Sequence, residues 1–178
     1  MATIKYISEC VNSLISKYRT RDPFILCGEL DINVYFKELG DNLKAYYFYH
    51  SRIKSVVINS EADEHMQKVL CAHELGHAIL HSQAKKLQAF CDNDLYNTRS
   101  STEYEANIFA AELLVDKKEL FSLLKERKST VSGVAKELCV PPEMVDFKLR
   151  ILNEYGCKIK APYIAQSDFL NRRYKISK

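Results

Sequence analysis

Two histidines four residues apart, His73 and His77, enclose Glu74 in the pattern H-E-x-x-H. Four residues of α-helix turn through about 400°, so the two imidazoles lie one turn apart on one face. There they can bind one Zn²⁺ ion, and Glu74 is placed to take a proton from a water molecule that the metal activates. The spacing predicts a hydrolytic metal site; the alternative is a surface helix with two chance histidines.

Apolar residues around this motif recur every three or four positions, which predicts a helix with its histidines on the buried side. Ser60 with Asp63 resembles a capping box, so we expect the helix to begin near Glu61. Gly76 costs a helix about 1 kcal/mol relative to alanine. Its bare backbone would let another element approach closely, or it serves packing alone.

A catalytic zinc site needs a third protein ligand and an open fourth position. The helix predicted over residues 102–115 offers Glu103 and Glu105, and capping patterns fit both. Glu103 shares a stripe of small and apolar residues, whereas Glu105 shares the more polar side with Glu112. Because a carboxylate on a packed face needs a partner such as a metal, Glu103 is the predicted ligand and Glu105 the alternative.

Two further residues are candidates for supporting roles. Asn107, one turn after Glu103, could orient a ligand histidine, or could be an ordinary polar helix residue. His81, one turn after His77, could orient a ligand or stabilise the oxyanion, or could simply be packed at the helix end. As a fourth ligand His81 would close the open position, which disfavours that role.

The elements around the site predict an α+β fold. Two helices, at 4–18 and 23–27, precede a small, mostly antiparallel sheet of three strands, at 32–36, 45–49 and 55–58, packed on the metal helix. A substrate could add as a strand along 46–49 or 55–58. The polar stretch 82–101 is expected to be irregular.

A helix-turn-helix-like pair is predicted over residues 130–155. Three basic and four acidic residues give this segment a net charge of −1, which argues against direct DNA binding. We therefore divide the chain into a metal-site domain (1–128), a helix-turn-helix-like subdomain (129–156) and a basic tail (157–178).

The composition is that of an ordinary globular protein, with 178 residues of which 47% are hydrophobic and 28% charged. No segment has the pattern of a signal peptide or a membrane span, so we expect a cytoplasmic protein without membrane contacts. The six cysteines include no C-x-x-C pair, which favours reduced thiols.

These motifs resemble the ImmA/IrrE family of metallopeptidases over roughly residues 20–155. Residues 73–81 match that family's H-E-L-G-H-x-x-x-H, residues 103–114 match its E-x-x-A-x-x-F-A-x-x-L-L, and residues 134–149 resemble its downstream segment. The resemblance implies a zincin-like site of the gluzincin type, in which the third ligand is Glu103. Asp116 departs from the family, where many relatives have proline.

The resemblance also implies a substrate class, helix-turn-helix repressors that are cut to relieve repression of mobile elements or stress regulons. The expected protein is a zinc-dependent endopeptidase, an anti-repressor of the phage or mobile-element type, with one Zn²⁺ per chain. The alternative is a non-catalytic regulator with a structural metal site. Such a regulator would bind a repressor or DNA through residues 130–155 and the basic tail. A general housekeeping peptidase is a further alternative.

Overall fold

The computed structural model describes residues 2–40, 43–81, 96–125 and 130–159, with the backbone alone at 96–100. Most of the predicted basic tail, from residue 160 onward, lies outside these ranges. The elements are α1 (Ile4–Tyr18), α2 (Pro23–Glu29), β1 (Ile32–Lys37), β2 (Ala45–His50), β3 (Ile53–Asn59), α3 (Glu64–Leu80), α4 (Tyr96–Leu114), α5 (Lys117–Leu124), α6 (Val131–Glu137) and α7 (Pro142–Glu154). The predicted α+β class is confirmed.

The sheet has the strand order β1-β3-β2 and is mixed, whereas the sequence predicted a mostly antiparallel one. Strands β2 and β3 form an antiparallel hairpin, and β1 pairs with β3 in parallel. The hairpin turn is Ser51-Arg52, both with positive φ (50° and 68°), a geometry that matches the twist of paired strands. Because β3 is central and paired on both edges, it cannot accept an added strand. Strands β1 and β2 are the two edges of the sheet, and no described strand pairs with the outer edge of β2.

Helix α3 carries the H-E-x-x-H motif and begins later than predicted. Its cap is Asp63, whose carboxylate accepts from the Met66 N–H at 2.8 Å, and Ser60 lies outside the helix. The Asn59 side chain accepts from the Glu61 N–H at 3.1 Å and holds the preceding residues in a turn. Local side-chain bonding of this kind competes with helix formation.

Helix α4 spans Tyr96–Leu114, so part of the stretch predicted to be irregular is helical, and Ser100 and Thr102 lie inside the helix and not at its N-cap. Residues 96–101 (Y-N-T-R-S-S) have weak helix propensity, and for this reason the sequence did not predict a helix there. Once a strong helix has formed downstream, each further turn adds without a new nucleation cost. Residues 82–95 lie outside the described part of the chain.

Helix α3 is the centre of the fold, since it contacts β2, β3, α2 and α4. All ten residues from Val69 to Ala78 are buried. The apolar core runs without a break from α1 through the sheet to α6 and α7. None of the described helices combines the length and apolar character needed to cross a membrane.

Helices α6 and α7 follow one another around a turn at Cys139, whose φ is 52°, and their likeness to a helix-turn-helix stays a prediction. Helix α7 packs against α4 and α1, and it is buried at eight of its thirteen residues. A helix enclosed in this way offers little surface to a DNA groove. The division of the chain after residue 128 stays a prediction, since residues 126–129 lie outside the described ranges.

Candidate metal centre

The approach of α4 to α3 at Gly76 brings the site together. A β carbon built on Gly76 would lie 3.1 Å from the Phe109 β carbon and 3.2 Å from the Ala106 α carbon. Such contacts are tighter than nine in ten real β-carbon contacts, so a side chain at residue 76 would force α4 to shift by a few tenths of an ångström. The close approach expected from the sequence is confirmed, and it brings Glu103, one turn before Ala106, level with the histidines.

Three potential ligand side chains from two helices converge on one point. The Nε2 atoms of His73 and His77 lie 3.1 Å apart. The Glu103 carboxylate oxygens lie 3.2 Å from Nε2 of His73 and 3.3 Å from Nε2 of His77. Zinc bonds of about 2.0–2.1 Å in a tetrahedron would separate ligand atoms by about 3.3 Å. The donor set and its spacing therefore fit one zinc ion.

Burial and the neighbouring charges shift the pKa values of His73 and Glu103 in opposite directions. Burial alone would lower the pKa of His73, but the carboxylates of Glu103 and Glu74 raise it above its ordinary value. Burial alone would raise the pKa of Glu103, but hydrogen bonds from His73 and His77 hold it far below the ordinary range. The site therefore presents a carboxylate to a cation, and the imidazole that faces it tends to keep a proton.

Glu74 is buried, with 6% of its surface exposed, and its negative charge raises the pKa of the adjacent His73. Three residues earlier, Cys71 lies with its Sγ 3.8 Å from that of Cys27. The hydrogen bond to Cys27 and burial raise the pKa of the Cys71 thiol strongly. Cys71 therefore remains a protonated thiol, and it is absent from the cluster of potential ligands.

Asn107 lies behind His73, where the sequence suggested a positioning role. Its Oδ1 is 2.8 Å from Nδ1 of His73, and its side chain is completely buried. An amide oxygen is an acceptor, so Nδ1 of His73 donates to it, and Nε2 is the ring nitrogen that faces Glu103. Nε2 is thereby left available to a metal.

His81 and Glu105 lie together behind His77, away from the three ligand atoms. His81 Nδ1 is 3.1 Å from His77 Nδ1, and His81 Nε2 is 2.9 Å from Glu105 Oε2. Both His81 ring nitrogens are thus occupied by other groups. Glu105, the alternative ligand, contacts His81 in place of the ligand cluster.

Two other glutamates of α4 lie in a different environment from the one that the sequence predicted. Glu105 and Glu112, assigned to a polar side, are both buried, at 5% and 7% exposure. Glu105 meets His81, and Glu112 meets Lys148 at 2.8 Å. Helix α4 is enclosed on several sides by α1, α3 and α7, so every buried carboxylate on it needs a partner. One feature of the sequence could have indicated the role of Glu105. His81 is the third histidine of the spacing H-x-x-x-H-x-x-x-H, and a buried histidine needs a hydrogen-bond partner.

Comparison with known proteins relates this chain to a peptidase family. The family model of the IrrE N-terminal-like domain, a peptidase family, matches residues 27–150. The "Uncharacterized immunity region protein 2" of Bacillus phage phi105 is 34% identical over 142 residues, which cover 80% of this chain and 88% of that protein. The "Metallopeptidase ImmA" of Bacillus subtilis (strain 168) is 28% identical over 166 residues, covering 88% of this chain and 92% of that protein. The family match spans most of the chain and includes both helices of the site, so the chain belongs to the ImmA/IrrE family of metallopeptidases.

Proposed function

We propose that this protein is a zinc-dependent endopeptidase that cleaves a helix-turn-helix repressor and so relieves repression. The observation that carries the proposal is the convergence of His73, His77 and Glu103 at distances that suit one zinc ion. Glu74, the adjacent buried carboxylate, supplies the second requirement of hydrolysis, a base.

The protein's own groups divide the work of peptide hydrolysis. A zinc ion held by His73, His77 and Glu103 would polarise the scissile carbonyl and lower the pKa of water. The Glu74 carboxylate accepts a proton from the attacking water and passes it to the leaving amine nitrogen. Asn107 keeps Nδ1 of His73 protonated, so that its Nε2 remains a ligand.

The outer edge of strand β2 is the proposed binding site for the substrate peptide. Helix α3 contacts this strand, so the metal helix and the edge strand are neighbours. A peptide in extended form would add to β2 by backbone hydrogen bonds, with limited demand on its sequence. Specificity for one repressor then has to come from further contacts with the folded partner.

The substrate class is supported by the relatives. One is a phage immunity-region protein, and the other carries the name of a metallopeptidase. A peptidase associated with immunity would act on the protein that maintains repression. We therefore propose as substrate the repressor encoded beside this gene.

The test is to mix the purified protein with that repressor and follow cleavage by mass spectrometry, with and without a chelator. We expect one cut, abolished by the chelator. Glu74→Gln should keep the bound metal and slow cleavage by about 10²- to 10⁴-fold. Glu61→Gln, a change at an exposed glutamate just before α3, is the matched control and should cleave normally.

The same variant separates the proposal from its main rival. A non-catalytic regulator would relieve repression equally well with Glu74→Gln, without any cut. A general peptidase would digest a broad panel of unstructured peptides, whereas a dedicated anti-repressor should cut almost none of them. Either result would remove the endopeptidase proposal in its present form.

A further inference from the structure

Behind His77 lies a chain of hydrogen bonds that runs through His81 to Glu105. We propose that His81 and Glu105 are positioning residues, which fix the orientation and tautomer of His77 and so raise the affinity of the site for its metal. The inference rests on the proposed role of His77 as a ligand. It adds two residues whose effect on the metal is exerted through another side chain.

The direction of each hydrogen bond follows from the carboxylate. A carboxylate only accepts, so His81 Nε2 must carry the hydrogen that bridges the 2.9 Å to Glu105 Oε2. A neutral imidazole with its hydrogen on Nε2 has a lone pair on Nδ1. His77 Nδ1, 3.1 Å away, therefore donates to His81 Nδ1, and Nε2 is the ring nitrogen of His77 that remains to bind a metal.

Glu105 is itself held from the other side. Its Oε1 accepts from the backbone N–H of Ala2 at 2.8 Å and lies 3.4 Å from the Ser101 hydroxyl. These donors occupy one oxygen and leave Oε2 to His81. The carboxylate thus connects three parts of the chain: the segment before α1, helix α4 and the end of α3.

His81 is held equally firmly, as the C-terminal cap of α3. Its backbone N–H donates to the His77 carbonyl at 3.0 Å, and only 8% of the residue is exposed. The spacing of four residues that places His77 one turn from His73 also places His81 one turn from His77. A single helix face thus supplies two candidate ligands and the group that orients one of them.

The two candidate ligands have different supports. Behind His73 is Asn107, a neutral amide, whereas behind His77 is an imidazole backed by a carboxylate. A carboxylate behind a ligand histidine increases its basicity and fixes its ring, and losing such a partner typically lowers metal affinity about 10- to 100-fold. We therefore expect substitutions of His81 or Glu105 to lower the affinity of the site for its metal.

The first experiment replaces Glu105 by glutamine and measures Zn²⁺ affinity by competition with a chromophoric chelator. Glutamine has one oxygen, so it can accept from the Ala2 N–H or from His81, but it cannot hold both as the carboxylate does. We expect affinity to fall about 10- to 100-fold. The matched control is Glu112→Gln, a buried glutamate on the same helix that pairs with Lys148. It should lower stability and leave zinc affinity unchanged.

The second experiment separates hydrogen bonding from packing at residue 81. His81→Asn can keep an acceptor near the position of Nδ1, whereas His81→Phe keeps the ring and removes every polar atom. We expect the phenylalanine variant to bind zinc more weakly than the asparagine variant. The visible spectrum of the Co²⁺-substituted protein should change in both, because the geometry of the imidazole at 77 changes.

The results distinguish this inference from the proposed function. If the unaltered protein binds no zinc, the metallopeptidase proposal fails and the inference with it. If the unaltered protein binds zinc and both Glu105→Gln and His81→Phe, folded by circular dichroism, bind it as tightly with unchanged Co²⁺ spectra, only the positioning role is overturned. If Glu105→Gln and Glu112→Gln weaken binding equally, the effect is one of stability and the inference also fails.

Discussion

Gly76 lies directly against Phe109, so that a β carbon at residue 76 would come within 3.1 Å of the phenylalanine β carbon. This contact sets how closely α4 can approach α3. Glu103 reaches the histidine pair from α4, so the distance between the two helices determines whether the three side chains can share one metal ion.

Replacing Gly76 by alanine should therefore damage both stability and metal binding. Alanine improves helix propensity by about 1 kcal/mol, but overpacking a dense core costs about 1–3 kcal/mol. We expect a net loss of stability in urea unfolding and a lower zinc affinity, because α4 must move outward with Glu103.

Gly28, near the end of α2, is the control for this substitution. Among the described residues, no atom beyond its chain neighbours and its own helix backbone lies within 4 Å of a β carbon built there, so Gly28→Ala should gain up to about 1 kcal/mol of stability and leave zinc affinity unchanged. A Gly76→Ala protein that bound zinc normally would show that the helix contact does not control the site.

The Asn107 amide should matter through its oxygen. Asn107→Leu keeps similar volume but leaves the buried Nδ1–H of His73 without this acceptor, at a cost of about 1–3 kcal/mol. Zinc affinity should fall about 10- to 100-fold. Asn107→Asp keeps an acceptor in place and should retain most of the affinity. Equal zinc affinities for the two variants, measured by chelator competition, would contradict this role.

The sequence predicted the parts of the site that depend on helix periodicity. Within one helix, spacing fixes which residues share a face, so His73 and His77 could be paired without coordinates. Gly76 likewise signalled a close approach, because a glycine in the middle of a helix lowers its stability, and a bare backbone against a neighbouring element compensates for that loss.

The parts that were missed depend on contacts between distant segments. The sequence assigned Glu105 to a polar face because it gave no sign that α4 is enclosed by three helices. The Ala2 N–H that holds Glu105 is 103 residues away in the chain. The parallel pairing of β1 with β3 also escaped prediction, because the hairpin turn fixes the neighbours of β2 but not the strand on the far side of β3.

Zinc affinity should rise with pH across the neutral range. In the metal-free protein burial alone would lower the pKa of His73, but the carboxylates of Glu103 and Glu74 raise it above the ordinary value of about 6.5. Zinc must displace that proton, so the apparent affinity should fall about tenfold for each pH unit below the raised pKa and level off above it. The measurement is chelator competition at several pH values.

Glu74→Gln offers an internal check on the cause of this pH dependence. Removing one of the two negative charges should lower the pKa of His73 and shift the rise in affinity to lower pH. The raised pKa also stabilises the metal-free fold: this contribution is complete below the unfolded pKa and is lost as pH rises through the folded one. An apparent affinity that did not vary with pH would contradict the assignment of His73 as a protonated partner of Glu103.

The buried ion pair between Lys148 and Glu112 should hold α7 to α4. Lys148 is 2% exposed and its Nζ lies 2.8 Å from Glu112 Oε2. Burial lowers the pKa of Lys148, and the neighbouring Glu112 charge opposes that shift. Lys148→Met leaves a buried carboxylate without this cation and should destabilise the protein by about 3–5 kcal/mol.

The double variant Lys148→Met with Glu112→Leu should recover most of that loss, because two apolar side chains can replace a buried pair at little cost. Urea unfolding of both single variants and the double variant gives the coupling energy. The rival in which α7 binds nucleic acid makes the opposite prediction. Neutralising Lys148 would then leave stability unchanged and weaken a salt-dependent affinity for DNA, since a lysine that contacts phosphate must be free of a buried partner.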